Sequence, residues 1–183
     1  MNRLKVKYEK EVMPKLLEQF GYKNKMAVPK LEKITINIGL GKSLQDAKFI
    51  DTAVDTLSRI TGQKPVLTKA KKSISNFKIR QGMTIGAKVT LRNERMYDFL
   101  DRLINIALPR VRDFRGINRK TVDQQGNLNI GFTEHIVFPE IKSDEVEKIH
   151  GLEVSATTTA KNYEEGITLL EGLGIPFKKD NKK

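Results

Sequence analysis

A chain of 183 residues, 38% hydrophobic and 31% charged, holds enough apolar material for one sizeable core, which excludes a disordered basic tail. Its 34 Lys and Arg against 22 Asp and Glu leave a formal charge of +12, so the expected partner is a polyanion. With no cysteine there is neither a disulfide framework nor a thiolate metal site. No apolar run reaches spanning length, and the start MNRLKVKYEK lacks the apolar stretch of a secretion signal, so a cytoplasmic protein without membrane contact is expected.

In chain order, Tyr8, Val12, Leu16 and Phe20 form the stripe of an amphipathic helix over 6–20, which Pro14 is expected to kink or divide. Leu31 to Ile38 alternates, with Ile34, Ile36 and Ile38 on one side and Lys33, Thr35 and Asn37 on the other, as a half-buried strand does. Helical spacing returns from Asp46 to Thr61, and Gly62 stands where a left-handed cap is usual. A short strand is expected at Val66 to Lys69. The clearest alternation follows over 83–92: Met83, Ile85, Ala87, Val89 and Leu91 face one way, and Thr84, Gly86, Lys88, Thr90 and Arg92 the other.

Asn93 reads as the N-cap of a helix that should stop at Leu108-Pro109. Residues 109–127 lack periodicity and hold Arg110, Arg112, Arg115, Arg119 and Lys120, and ordered loops of such length usually bind something. Leu128, Ile130 and Phe132 predict a fourth strand, Ser143 a short capped turn of helix, and Val154 to Ala160 a fifth strand. Asn162 with Glu165 resembles a capping box opening a last helix through Ile167 and Leu170. Strands with one apolar face, intermixed with helices, predict an α+β fold of two layers. It has one mainly antiparallel sheet of about five strands, with helices on a single face and the other face open. A single domain over 1–183 is expected, with 178–183 a disordered tail.

The open face would carry Lys33, Thr35, Asn37, Lys88, Thr90 and Arg92, which are short polar or basic groups without aromatics. A reader of single strands stacks bases on rings, so this surface suits the backbone and shape of folded RNA. Charge distribution agrees. The 38 residues between Asp55 and Glu94 contain no carboxylate side chain and nine cations, Lys64 and Lys69 among them. Residues 1–120 carry 27 basic and 11 acidic side chains, against seven and 11 in 121–183. Within the acid-free run, Lys71, Lys72, Lys78 and Arg80 surround Ser73, Ser75, Asn76, Phe77 and Gln81, a set of cations, amides and one stackable ring that suits RNA better than a solvated loop.

Enzyme readings find little. In Gly39-Leu40-Gly41-Lys42-Ser43, a Walker loop needs glycine at the position held by Ile36, which the alternation sends to the core. His135 and His150 have no cysteine partners and no nucleophile arrangement, so no metal, cofactor or catalytic group is expected. The competing classes are an RNA-modifying or RNA-binding accessory protein, a DNA-binding architectural protein, and a basic protein-interaction module. The cations here favour strands and loops over a recognition helix.

The runs LSRITGQKPVLTKAKKS at 57–73, ITINIGLG at 34–41, ISNFKIRQG at 74–82 and DFRGI at 113–117 resemble the family of large-subunit ribosomal protein five in its bacterial form, and the similarity spans essentially the whole chain. The resemblance implies a non-catalytic protein that binds 5S rRNA in the central protuberance and touches 23S rRNA and other proteins there. It also implies contact of the loop near 72–82 with P-site tRNA and a bridge to a small-subunit head protein, with no homo-oligomer. The family's 5S contacts carry over to Asn37, Gln63 and Thr90. Arg110, Arg112, Arg115 and Arg119 would then belong to a bridge or rRNA loop.

Overall fold

A computed structural model describes residues 2–41, 48–142 and 149–178. The expected cap at Ser143 and the start of the second helix at Asp46 lie outside them. The fold is α+β, built on one open five-stranded antiparallel sheet with helices. Its strands are β1 (Leu31–Gly39), β2 (Val66–Lys69), β3 (Thr84–Leu91), β4 (Leu128–Phe132) and β5 (Leu152–Thr158), in the spatial order β2-β3-β1-β5-β4. The chain divides into two compact units: Met1–Ile34, Leu91–Ile130 and Ser155–Lys183 in one, Thr35–Thr90 and Gly131–Val154 in the other.

In the first unit, α1 (Arg3–Lys7), α2 (Met13–Phe20), α4 (Asn93–Arg102), α5 (Leu108–Arg110) and α6 (Tyr163–Leu173) close around Leu16, Ile34, Phe99, Leu100, Leu169 and Leu170, all at most 1% exposed. Each such side chain contributes roughly 1.5–3 kcal/mol by leaving water. Pro14 lies in α2, which a π-helical turn separates from α1, and the helix expected to stop at Leu108-Pro109 runs on to Arg110. The two prolines share one feature. A π-helical turn, Tyr8–Val12 or Leu103–Ala107, precedes each proline and contains the carbonyl four residues back, at Lys10 or Asn105, that a proline ring would crowd in an ordinary helix. Asn93 also departs from expectation: Arg92 occupies the cap position without a side-chain hydrogen bond, and Asn93 takes φ 52°, a left-handed conformation that Asn tolerates. At the last helix, Glu165 reaches back to the Lys161 N–H at 2.9 Å, one residue before the cap.

The second unit has α3 (Lys48–Thr61), which buries Phe49, Ala53, Leu57 and Ile60. β1 and β3 contribute Ile36, Ile38, Ala87 and Val89 to the same core. Its remaining corner is a pair of histidines. His135 and His150 stack 3.9 Å apart at 5°, with Phe49 edge-on to His150 at 5.6 Å. The His135 N–H donates to the His150 carbonyl, and the His150 N–H donates to His135 Nδ1 at 3.3 Å. Both rings are buried, at 2% and 5% exposed, and they serve the core.

Burial pushes the His135 pKa below its ordinary value, against a smaller opposing effect of its hydrogen bond to His150. Below about pH 6.5 the unfolded chain therefore binds more protons than the folded one. The stabilisation is complete above the unfolded pKa and is lost as pH falls toward the depressed folded value. Urea midpoints are expected to drop between pH 7.5 and 5.5 in the parent and to drop less in His135→Phe. Equal drops in the two would contradict this account.

Candidate nucleic-acid interface

Alternation in β1 and β3 leaves one row of each strand accessible because the other row is fixed in the core. Thr35 and Asn37 on β1 and Thr90 on β3 are half-buried, and Lys88 is exposed. The register pairs Val66 with Lys88 and Thr68 with Gly86, so Val66 and Thr68 share the face of Lys88. Gly86 decides the shape of that face. A Cβ there would lie 2.6 Å from Thr68 Oγ1, 3.3 Å from the Ile38 carbonyl and 3.8 Å from Asn37 Oδ1. The missing side chain makes room for Thr68 and Asn37 to close over the strand there, and Gly86 is itself buried.

Gln63, which no periodicity selects, arrives at the end of this row through the turn after α3. Gly62 turns the chain at φ 65°, the Gln63 N–H donates to Thr61 Oγ1, and Gln63 Nε2 lies 3.4 Å from the Thr90 carbonyl. Lys64 and Lys69 are exposed at the two ends of the edge strand β2. Between them Val66 and Leu67 are 62% and 41% exposed, an apolar component that charge counting misses. Lys33 and Arg92 belong to the first unit, where Arg92 makes a loose pair with Glu32 at 3.5 Å.

The segment between β2 and β3 is an ordered prong. The Ala70 N–H donates to the Met83 carbonyl and the Gly82 N–H to the Ala70 carbonyl. Ile74 and Ile79 form a two-way antiparallel bridge at 2.8 and 3.1 Å, and the Gln81 N–H donates to Ser73 Oγ. A turn at Ser75–Phe77 ends with Lys78 at φ 54°. Backbone bonding thus turns the side chains of Lys71, Lys72, Ser73, Ser75, Asn76, Phe77, Lys78, Arg80 and Gln81 to solvent. Phe77 is 63% exposed, with Ile74 beside the turn at 45%. The prong thus sets one exposed ring among exposed cations.

The arginine segment 109–127 places its cations in two ways. Arg110, Arg112 and Arg115 are exposed, whereas Arg119 turns inward to Glu171 and lies over the Phe177 ring. At its far end Asp123 accepts hydrogen bonds from the Gln125 and Asn127 N–H groups and from the Asn127 amide. Burial alone would raise the Asp123 pKa, and these bonds outweigh it and hold the group below its ordinary value. Among the described residues no group of three His, Cys, Asp or Glu could hold a metal ion. In the glycine motif, Ile36 is fully buried as a strand residue, and Lys42 and Ser43 lie outside the described residues. No helix among the described residues is long and apolar enough to cross a membrane.

Two family models match the chain: Ribosomal protein L5 over residues 24–80, and the C-terminus of the same ribosomal family over 84–177. Curated relatives are similar along nearly the full length. The large ribosomal subunit protein uL5 of Carboxydothermus hydrogenoformans is 58% identical over 177 residues, covering 97% of this chain and 99% of that protein. The uL5 of Desulforamulus reducens is 59% identical over 179 residues (98% and 99%), and that of an Anaeromyxobacter species is 56% identical over 176 (96% and 98%).

The hydrogen bonds of the prong carry a direct test. In amide hydrogen exchange of the free protein, the Ile74, Ile79 and Gly82 amides are expected to exchange more slowly than those of Asn76 and Phe77 at the turn. Exchange of all five at the rate of an unstructured peptide would mean that the prong is not formed.

Proposed function

The chain belongs to the ribosomal protein L5 family, and from that premise we propose that its accessible sheet face binds 5S rRNA and holds it in the central protuberance of the large subunit. The protein is a structural constituent of the large ribosomal subunit of the cytoplasmic ribosome, not an enzyme. The observation that carries the finer reading is the acid-free row Thr35, Asn37, Gly86, Lys88 and Thr90. Lys88 stands exposed on it, and Asn37, Thr90 and Gln63 supply hydrogen-bonding groups of the kind that read 2′-hydroxyls and base edges. Lys64 and Lys69 border it as positive charge, and Lys33 and Arg92 continue the basic character along β1 and beyond β3. On the same premise the prong takes P-site tRNA, with Phe77 as a stacking ring and Lys71, Lys72, Lys78 and Arg80 on phosphates. Contacts with 23S rRNA, neighbouring proteins of the protuberance and a small-subunit head protein complete the set that the family resemblance implies.

Replacing Asn37 and Thr90 together by Ala removes about 1 kcal/mol per lost hydrogen bond, a combined loss of roughly thirtyfold in 5S affinity. Filter binding with 5S rRNA measures it, and circular dichroism checks the fold. Unchanged affinity in a folded double variant would reject the sheet face as the 5S site. With four to six cations engaged, log affinity is expected to fall roughly three to five per tenfold rise in monovalent salt. A slope near zero would favour a protein-interaction module.

The prong separates from the face by deletion. Exchanging residues 73–81 for a short Gly-Ser linker removes Phe77, Lys78 and Arg80 and leaves the sheet row intact. The variant is expected to bind 5S rRNA within a few fold of the parent, while ribosomes carrying it release P-site tRNA faster. Lost 5S binding with normal tRNA retention would invert the assignment.

A further inference from the structure

Nine described residues have a positive φ, and six of them are glycine. Two of the other three, Asn93 at φ 52° and Asp113 at φ 55°, belong to the residue types whose short polar side chains tolerate that conformation. Lys78, at φ 54° and ψ 30°, does not. It closes the turn Ser75–Phe77 at the tip of the prong, where its N–H donates to the Ser75 carbonyl at 2.9 Å. Glycine fits such a place without strain, and the prong uses one four residues on, at Gly82 with φ 87°. A lysine held there lowers the stability of the free prong, so the reason for it lies in where the residue stands.

It stands at a recess. Lys78 and Ile79 line it together with Arg80, Ser73 and Ser75, around a volume of about 510 Å³. Backbone bonding forms its walls in advance: Ile74 and Ile79 bond to one another in both directions, and the Arg80 N–H donates to Met83 Sδ at 3.1 Å. Ser73 Oγ accepts from the Gln81 N–H at 2.9 Å, which uses an oxygen lone pair and leaves the hydroxyl hydrogen to donate. An ammonium, a guanidinium and two hydroxyls around one opening, with no carboxylate side chain from residue 56 to 93, form a donor set for one anion. Lys71 and Lys72 take no part in lining it.

We propose that Lys78 is the cation on which the prong's hold on tRNA depends, set at one backbone phosphate by a left-handed residue that the free protein would fold better without. The inference rests on the reading of the prong as the site of P-site tRNA, from which the anion follows as a phosphate. It divides the four cations of the prong by geometry rather than by charge. Lys78 and Arg80 stand at the recess, whereas Lys71 and Lys72 add to the field around it. Replacing Lys78 by glycine therefore moves stability and binding in opposite directions, which a cation kept for the fold would not do.

Two readouts on the same variants test this: amide exchange of the free protein, and release of P-site tRNA from ribosomes that carry it. Lys78→Gly is expected to slow exchange of the Ile74 and Ile79 amides about threefold, as strain leaves the turn, and to speed tRNA release at least fivefold. Lys78→Arg, which keeps the charge, is expected to release tRNA within twofold of the parent rate. Lys71→Ala removes one charge away from the recess and is expected to speed release about twofold. Release in Lys78→Gly no faster than in Lys71→Ala overturns the assignment, and exchange of Ile74 and Ile79 no slower than in the parent overturns the strain. Ribosomes with residues 73–81 exchanged for the Gly-Ser linker keep the two readings apart. Normal tRNA retention in them removes the tRNA reading of the prong and this inference with it. Faster release in them, with parental release in Lys78→Gly, removes this inference alone.

Discussion

The structure depends on a division of labour within single strands. Ile34, Ile36 and Ile38 on β1 and Ala87, Val89 and Leu91 on β3 are all at most 2% exposed, and their burial fixes the strands so firmly that the alternate row needs no packing of its own. A one-residue slip would send that apolar row into water at a cost of several side-chain burials, so register is secured from the core side alone. The opposite row is thereby free to be polar and without acids, except at Gly86, where the close approach of Thr68 leaves no room for a side chain.

The two projections outside the sheet solve a different problem, since neither has a core beneath it. In the prong, Ala70, Ile74, Ile79 and Gly82 bond backbone to backbone, and the polar side chains between them face outward. The arginine segment borrows rigidity instead, from the bonds of Ile117 with Pro176 and Lys178 and from the contacts of Arg119 with Glu171 and Phe177. Both arrangements settle the backbone before a partner arrives, which reduces the ordering cost that binding would otherwise bear.

What could be read from the sequence follows the range of the interaction responsible. Alternation is local, so all five strands, the α+β class and the accessible row of Thr35, Asn37, Lys88 and Thr90 were legible. The π turns at Tyr8–Val12 and Leu103–Ala107 were not, because no residue type announces them. Asn93 misleads for a related reason: Asn suits both a cap and a left-handed residue, and only the backbone path distinguishes them. The role of Gly86 needs the β2–β3 register, and the stacked His135 and His150 need a long-range fold. Arg119 reads as one more loop cation until Glu171, 52 residues away, is placed beside it. Gln63 came only from family resemblance, although Gly62 just before it marks the turn that carries it to Thr90.

Because the chain contains no cysteine, a single introduced thiol can be labelled without background. Tethering an iron chelate to Lys88→Cys on the sheet row and, as a control, to Glu164→Cys on α6, then generating hydroxyl radicals in the complex with 5S rRNA, reports which surface faces that RNA. Localised cleavage of 5S rRNA from position 88 and none from position 164 is the result expected if the sheet row is the 5S site. Cleavage from 164 with none from 88, in complexes of undiminished affinity, would contradict it.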